Sequence, residues 1–197
     1  MSAAFLAGVA AGYGIAVPVG AIGVLIAGLS ARTSLRVGAA AGLGAATADG
    51  VYALIAMLGG AALAAVIAPI ATPLRWVAAG VLLALAGTTA YRAVRRPGTP
   101  EQPPKPVTAR GAYAGVLGLT MLNPATVIYF AALILGRGGS GGGAWFVVGA
   151  FLASASWQLL LAGGGSLVGR LLTGERGRLI TALVSSAVIA ALAITLL

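Results

Sequence analysis

Residues 14–58 read GIAVPVGAIGVLIAGLSARTSLRVGAAAGLGAATADGVYALIAML and contain the features that decide the fold. Two apolar segments flank a short basic turn, with Pro18 inside the first segment and Asp49 inside the second. Asp49 is one of three acidic residues in the chain and the only one within an apolar segment. A carboxylate in hydrocarbon costs about 2.5–3.5 kcal/mol on insertion scales. The sequence therefore predicts that Asp49 faces a polar cavity inside the protein rather than lipid.

The composition of the chain is that of an integral membrane protein. Of its 197 residues, 60% are hydrophobic and 8% are charged, and the mean hydropathy is +1.05. A soluble domain is about one-quarter charged. Apolar runs near 20 residues recur along the chain, and about 20 residues are needed to cross a bilayer.

The apolar runs predict six transmembrane helices. Their predicted bounds are Ala3–Leu29, Val37–Leu58, Leu74–Tyr91, Gly111–Leu135, Ala144–Val168 and Leu179–Leu197. The apolar stretch between Gly59 and Pro69 is too short to span and is interpreted as an extension or an interfacial segment. The expected fold class is an all-α integral membrane protein.

Prolines near the middle of helices 1 and 4 predict that both helices are broken. Pro18 has no N–H group to offer the Gly14 carbonyl, and Asn123 precedes the second proline, Pro124. In lipid, a carbonyl freed in this way must be satisfied by protein or by water in a cavity. Such half-helix ends can present backbone groups to a bound solute.

Loop charges predict the orientation of the chain. The loops between helices 1 and 2, 3 and 4, and 5 and 6 carry ten of the twelve cations: Arg32, Arg36, Arg92, Arg95, Arg96, Lys105, Arg110, Arg170, Arg176 and Arg178. The other side carries only Arg75 and Arg137. The positive-inside bias assigns the first side to the cytoplasm and both termini to the outside. The net charge of +9 is therefore read as membrane topology, and no nucleic-acid partner is predicted.

The six helices divide into two repeats of three, and an odd number of helices inverts the second copy in the membrane. A single transporter domain, 1–197, would contain a first repeat over 1–91, a cytoplasmic loop over 92–110 and a second repeat over 111–197. Aligning Gly44 with Gly149 puts Asp49 over Ser154 and Tyr52 over Trp157. We call this alignment the repeat register. Paired broken helices in inverted halves point to the central site of a transporter.

These residues resemble the lysine exporter (LysE/RhtB-type) family of bacterial amino-acid exporters. Pro18-Val19-Gly20 is similar to the Pro-x-Gly-Pro motif of the family, with Ala21 in place of its second proline. The glycines leading to Asp49 and the Leu122-Asn123-Pro124 stretch also match, and the likeness covers nearly the whole chain. The resemblance implies export of amino acids or similar small solutes, driven by the proton-motive force, in the bacterial inner membrane, and it permits a homodimer.

The candidate residues for binding substrate and proton are Asp49, Tyr52, Pro18, Gly20, Asn123, Pro124, Ser154 and Trp157. Burial favours the protonated form of a carboxyl, whereas a substrate ammonium group favours the ionised form. Mutual exclusion of the two at Asp49 is sufficient for antiport. The expected partners are a small amine-bearing solute, the proton and membrane lipid, and no cofactor is predicted.

Three other functions compete with amino-acid export. A divalent-cation exporter of a related fold would need several oxygen ligands, and no metal site is predicted from one membrane carboxyl. The chain has no cysteine and no histidine, so a membrane enzyme would lack a nucleophile–base pair. An assembly subunit remains open, with Asp49 merely hydrogen-bonded and with Tyr52 and Trp157 as packing residues. The residues leave the substrate itself undetermined.

Overall fold

The computed structural model describes residues 2–17, 20–95, 107–123, 126, 129, 143–171 and 175–194. Across these ranges the chain is helical and contains no strand. The helices are α1 (Ser2–Ala16), α2 (Ala21–Arg32), α3 (Leu35–Ile67), α4 (Ala71–Arg95), α5 (Ala109–Met121), α6 (Gly143–Leu171) and α7 (Glu175–Ile194), with a short 3-10 turn, Ala68–Ile70, after α3. The all-helical class agrees with the sequence prediction.

The first predicted helix is divided into α1 and α2. The two are inclined 79° to one another across a break of four residues or fewer, in agreement with the interruption predicted at Pro18. Pro18 itself lies outside the described residues, as does Pro124. In the second half of the chain, α5 ends at Met121, two residues before Asn123.

The second helix is longer than predicted. The expected end at Leu58 was wrong, because α3 continues through Gly59 and Gly60 to Ile67. An interior glycine costs a helix only about 1 kcal/mol relative to alanine. The alanine-rich residues that follow are strong helix formers, and they carry the helix onward. The alternative of an extension for this stretch is therefore confirmed.

Two helices, or three spans if the bent pair is counted as one, are long and apolar enough to cross a membrane within the described residues. These are Leu35–Gly59, Gly143–Gly169 and the bent pair formed by α1 and α2. Residues 79–88 form a shorter apolar stretch within α4. The sequence predicts six spans, which is more than this count of the described residues.

Helix α6 is the centre of the packing, since it contacts α1, α2 and α3. Small residues allow the close approach. A Cβ atom at Gly8 or Gly12 would overlap α6 backbone, and one at Gly165 or Gly169 would overlap α2 backbone. Glycines four residues apart on one face are a common device of membrane helix pairs. Gly38 and Gly42 on α3 also allow close approach, to Ser30 and Gln158 respectively.

Candidate functional site

Asp49 and Ser154 meet between the two long helices. The Ser154 Oγ donates a hydrogen bond of 2.6 Å to Asp49 Oδ2. Asp49 is 4% exposed and Ser154 is fully buried. Burying a carboxyl is tolerated only when it is hydrogen-bonded. The structure thus joins by a direct hydrogen bond two residues that the repeat register had aligned.

Glycines on α3 set how closely the helices approach at this level. A Cβ atom at Gly42 would lie 3.1 Å from Gln158 Cβ, and one at Gly50 would lie 3.2 Å from a ring carbon of Phe151. Contacts of this length are tighter than ordinary packing, so larger side chains would separate the helices. The short hydrogen bond between Asp49 and Ser154 depends on this separation.

Tyr52 lies one turn after Asp49 on α3 and is buried. Its hydroxyl donates to the carbonyl oxygen of Met121, the last residue of α5. Since α5 stops there, the Met121 carbonyl has no donor within its own helix, and the side chain of Tyr52 on α3 supplies one. The sequence predicts that Tyr52 binds substrate or proton. In the structure its hydroxyl donates a hydrogen bond to the end of α5.

The ends of α1 and α5 reach the same buried cluster. Tyr52 belongs to this cluster, and Ile15 and Met121 pack against it. Beyond α5, the Asn123 backbone N–H donates to the Thr120 carbonyl at 3.0 Å. Both helices therefore end against the cluster that contains Tyr52, which lies one turn after Asp49 on α3.

Gly20 begins α2 on the other side of the first break. It is exposed and has an extended backbone, with φ −91° and ψ −176°, and no side chain caps the helix that follows. Extended backbone of this kind is open to any residue. A Cβ atom at Gly20 would also meet nothing within 4 Å, so neither the backbone conformation nor the packing described here requires a glycine at this position.

Two side chains just after Ser154 on α6 have buried polar atoms that lack a hydrogen-bond partner in the part of the chain that the structure describes. They are the Trp157 Nε1 and the Gln158 Oε1. Gln158 is 6% exposed and lies one turn beyond Ser154. Buried polar groups are nearly always paired, so each exception calls for an explanation.

One contact near the site was missed by sequence reasoning. The Tyr13 hydroxyl and the Ser156 hydroxyl lie 2.8 Å apart and join the last turn of α1 to α6. The available signal was the four-residue spacing of Gly8 and Gly12, which indicates a close partner helix without naming it.

A family model described as LysE type translocator matches residues 14–197, which is nearly all of the chain. The chain belongs to the LysE type translocator family. The resemblance drawn from Pro18, Gly20, Asp49 and Leu122-Asn123-Pro124 is confirmed. No curated protein and no solved structure gave a significant match. The protein is therefore a transporter with a multi-pass membrane topology, and its family suggests export of amino acids or other solutes.

The chemistry of this translocator site is that of one buried acid with a single described donor. A carboxylate can accept several hydrogen bonds, and Ser154 supplies one. Within the described residues, no three His, Cys, Asp or Glu side chains form a group that would hold a metal ion. The arrangement suits a proton or an ammonium group at Asp49.

Proposed function

We propose that the protein exports amino acids or related small amine-bearing solutes in exchange for protons, with Asp49 binding proton and substrate alternately. The observation that carries the proposal is the buried hydrogen bond between Asp49 and Ser154, which holds an acid between the two long helices. An intramembrane acid at the bundle interior is a strong indicator of an ion or substrate pathway.

The proposed cycle uses two occupants that exclude one another. A protonated Asp49 is neutral and binds no cation, whereas an ionised Asp49 attracts the substrate ammonium group. Ser154 donates to one carboxyl oxygen, which leaves the other oxygen to receive the proton or the ammonium group. Because a single carboxyl serves both occupants, each substrate leaving the cell is exchanged for a proton entering it.

We further propose that the chain forms six spans as two inverted repeats, 1–91 and 111–197, joined by the cytoplasmic loop 92–110. Matching contacts in the two halves support this arrangement. A Cβ at Gly44 would overlap the Tyr113 carbonyl of α5, and one at Gly149 would overlap the Phe5 carbonyl of α1. Gly44 and Gly149 are equivalent in the repeat register, and each meets the half-helix of the opposite repeat.

The half-helix ends complete the proposed binding site. Pro18 and Gly20 flank the first break, and Asn123 and Pro124 follow α5. We assign the backbone groups at these breaks to the polar parts of the solute, because unwound backbone within a membrane is found where it lines a cavity. In the proposed orientation the basic loops face the cytoplasm of a bacterial inner membrane and both termini lie outside. A homodimer is compatible with this arrangement.

The test is transport in proteoliposomes. The purified protein is reconstituted, and counterflow of labelled amino acids is screened with and without an imposed pH gradient. We expect uptake of at least one amine-bearing solute that depends on the gradient. Asp49→Asn removes the exchangeable proton at nearly constant size, and we expect it to abolish the dependence on the gradient.

A matched control is available in the same chain. Glu175→Gln removes a carboxyl at the start of α7, outside the apolar segments, and should transport as the parent does. If Asp49→Asn transports as well as Glu175→Gln, the proposed coupling is wrong. If no amino acid or amine exchanges while a divalent cation does, the substrate class is wrong.

A further inference from the structure

Tyr52 and Trp157 are equivalent in the repeat register, but only one of them has a hydrogen-bond partner. The Tyr52 hydroxyl donates to the Met121 carbonyl at the end of α5. The Trp157 indole N–H is buried and has no partner among the described residues. Tyr52 lies three positions after Asp49, and Trp157 lies three positions after Ser154. We call Asp49 and Ser154 the central pair. The two equivalent donors therefore lie on opposite sides of the site, and among the described residues only Tyr52 has an acceptor.

The end of α1 lies within the neighbourhood of Trp157. The Tyr13 hydroxyl is 2.8 Å from the hydroxyl of Ser156, the residue before Trp157. One turn earlier, a Cβ at Gly12 would lie 2.9 Å from Ala153 Cβ. The last turn of α1 therefore runs beside the turn of α6 that carries the unpaired indole.

The last turn of α1 contains a carbonyl that has no donor within its own helix. The Gly14 carbonyl would bond to the N–H of residue 18 in a continuous helix, and Pro18 has no such group. Helix α1 ends at Ala16, so its final carbonyls are at the C-terminal end of a helix, as the Met121 carbonyl is in α5. A donor without an acceptor and acceptors without a helical donor thus lie close together on α6 and α1.

We propose that Tyr52 and Trp157 are positioning residues that select between two states of the transporter. In the state described here, Tyr52 holds the end of α5. In the other state, Trp157 donates to a carbonyl in the last turn of α1 and Tyr52 releases Met121. This proposal rests on the proposed transport function, since it assigns how that same site opens to each side in turn.

The two donors lie on opposite sides of Asp49 along the membrane normal. In the proposed orientation α3 runs outward from the basic turn at its start, so Tyr52 lies on the outer side of Asp49. Helix α6 runs antiparallel to α3, so Trp157 lies on the cytoplasmic side of Ser154. In this proposal the Tyr52 bond holds the outer side in the described state, and a bond from Trp157 would hold the cytoplasmic side in the other state.

The chain contains no cysteine, so single cysteines can report each side without removing native thiols. Ala53 and Gln158 are equivalent in the repeat register, are buried, and lie one turn beyond Asp49 and Ser154. We would place a cysteine at Ala53 or at Gln158 and measure its labelling rate by a membrane-impermeant thiol reagent. The reagent is applied from the outer side for Ala53→Cys and from the cytoplasmic side for Gln158→Cys.

Removing either donor should shift labelling in opposite directions. Tyr52→Phe disfavours the described state, so the Ala53→Cys rate rises and the Gln158→Cys rate falls. Trp157→Phe disfavours the other state and produces the reverse. Each shift should be about threefold, the factor that corresponds to an average interhelical hydrogen bond in a membrane protein. Trp157→Tyr, which keeps a donor, should return both rates toward those of the parent.

The proposal is overturned if Tyr52→Phe and Trp157→Phe change the labelling rate of a given cysteine in the same direction. Loss of packing alone would have that effect, because it loosens both sides together. Unchanged rates in both variants would overturn it as well. Size-exclusion profiles identify any variant that fails to fold, and Trp157→Tyr then supplies the comparison at that position. The labelling needs no substrate. Opposite shifts combined with an active Asp49→Asn would therefore retain this proposal and reject proton coupling at Asp49.

Discussion

In the proposed repeats, Asp49 on α3 and Ser154 on α6 occupy equivalent positions, yet one is an acid and the other an alcohol. The surrounding packing is similar, since Gly44 lies against the backbone of α5 and Gly149 against the backbone of α1. The chemistry differs, because the first half supplies the carboxyl and the second half supplies the donor that holds it. Under the proposed function, a shared scaffold with unequal side chains would let one half exchange ligands while the other positions them.

Exchanging the central pair is the most severe test of this comparison. Asp49→Ser alone removes the carboxyl that the proposal uses for coupling, so it should abolish gradient-driven transport, as expected for Asp49→Asn. Asp49→Ser combined with Ser154→Asp returns a carboxyl to nearly the same point in space, because the two side chains are in hydrogen-bond contact. We expect the double variant to regain a measurable part of the initial transport rate in proteoliposomes.

Ser154→Asp alone is the control for the exchange, since it places two acids together and should not resemble the parent. A folded double variant no more active than Asp49→Ser would contradict the equivalence of the two positions. The coupling carboxyl would then have to belong to α3 specifically.

The next largest effect is expected at Gly44 and Gly149, the glycines at which two helices cross, and it concerns the unfolding free energy. Gly44→Ala and Gly149→Ala each introduce a Cβ where a backbone carbonyl already lies, and overpacking of this kind costs about 1–3 kcal/mol. The two substitutions should lower the unfolding free energy in detergent micelles by similar amounts. Gly118→Ala is the matched control, since nothing lies within 4 Å of its added Cβ, and it should be neutral or stabilising. A large difference between Gly44→Ala and Gly149→Ala would show that the crossings are not equivalent.

Much of the central pair was predictable from sequence, for two separate reasons. Asp49 stands out because a charge in an apolar segment is expensive, which makes it visible without any structure. Ser154 is unremarkable alone, and only its alignment with Asp49 in the repeat register singled it out. The structure puts these two aligned side chains in hydrogen-bond contact, while the repeat itself stays a prediction.

Other features of the site could not be predicted from sequence. The bond from Tyr52 to Met121 and the contact between Tyr13 and Ser156 join helices far apart in the chain. Their formation depends on the angle and level at which helices cross, which helical periodicity does not encode. The end of α3 was misplaced for a simpler reason. Gly59 and Gly60 weaken a helix locally, but the strong helix formers around them outweigh that weakness.

Helices α5 and α2 differ at their first residues, and this difference has a measurable consequence. Thr108 caps α5, since its Oγ1 accepts from the Gly111 N–H at 3.0 Å, whereas α2 begins at Gly20 without a side-chain cap. Thr108→Ala should destabilise the protein by about 1 kcal/mol. It should also speed hydrogen exchange in the first turn of α5. Thr88→Ala is the control, because the Thr88 hydroxyl bonds only to carbonyls of its own helix. Equal exchange rates in the parent and Thr108→Ala would show that the cap contributes nothing.

The smallest expected effect concerns a hydroxyl that joins the two halves. The Ser30 Oγ donates at 2.6 Å to the Ala162 carbonyl of α6, and both residues are buried. A hydrogen bond between membrane helices contributes about 0.6 kcal/mol on average, so Ser30→Ala should lower the unfolding free energy by that amount. Thr120→Val is the matched control, since the Thr120 hydroxyl is also buried but bonds within its own helix to Val116. The difference between the two variants isolates the bond between the halves. If Thr120→Val costs as much as Ser30→Ala, the halves are held together by glycine packing alone, and their polar contacts serve the site instead.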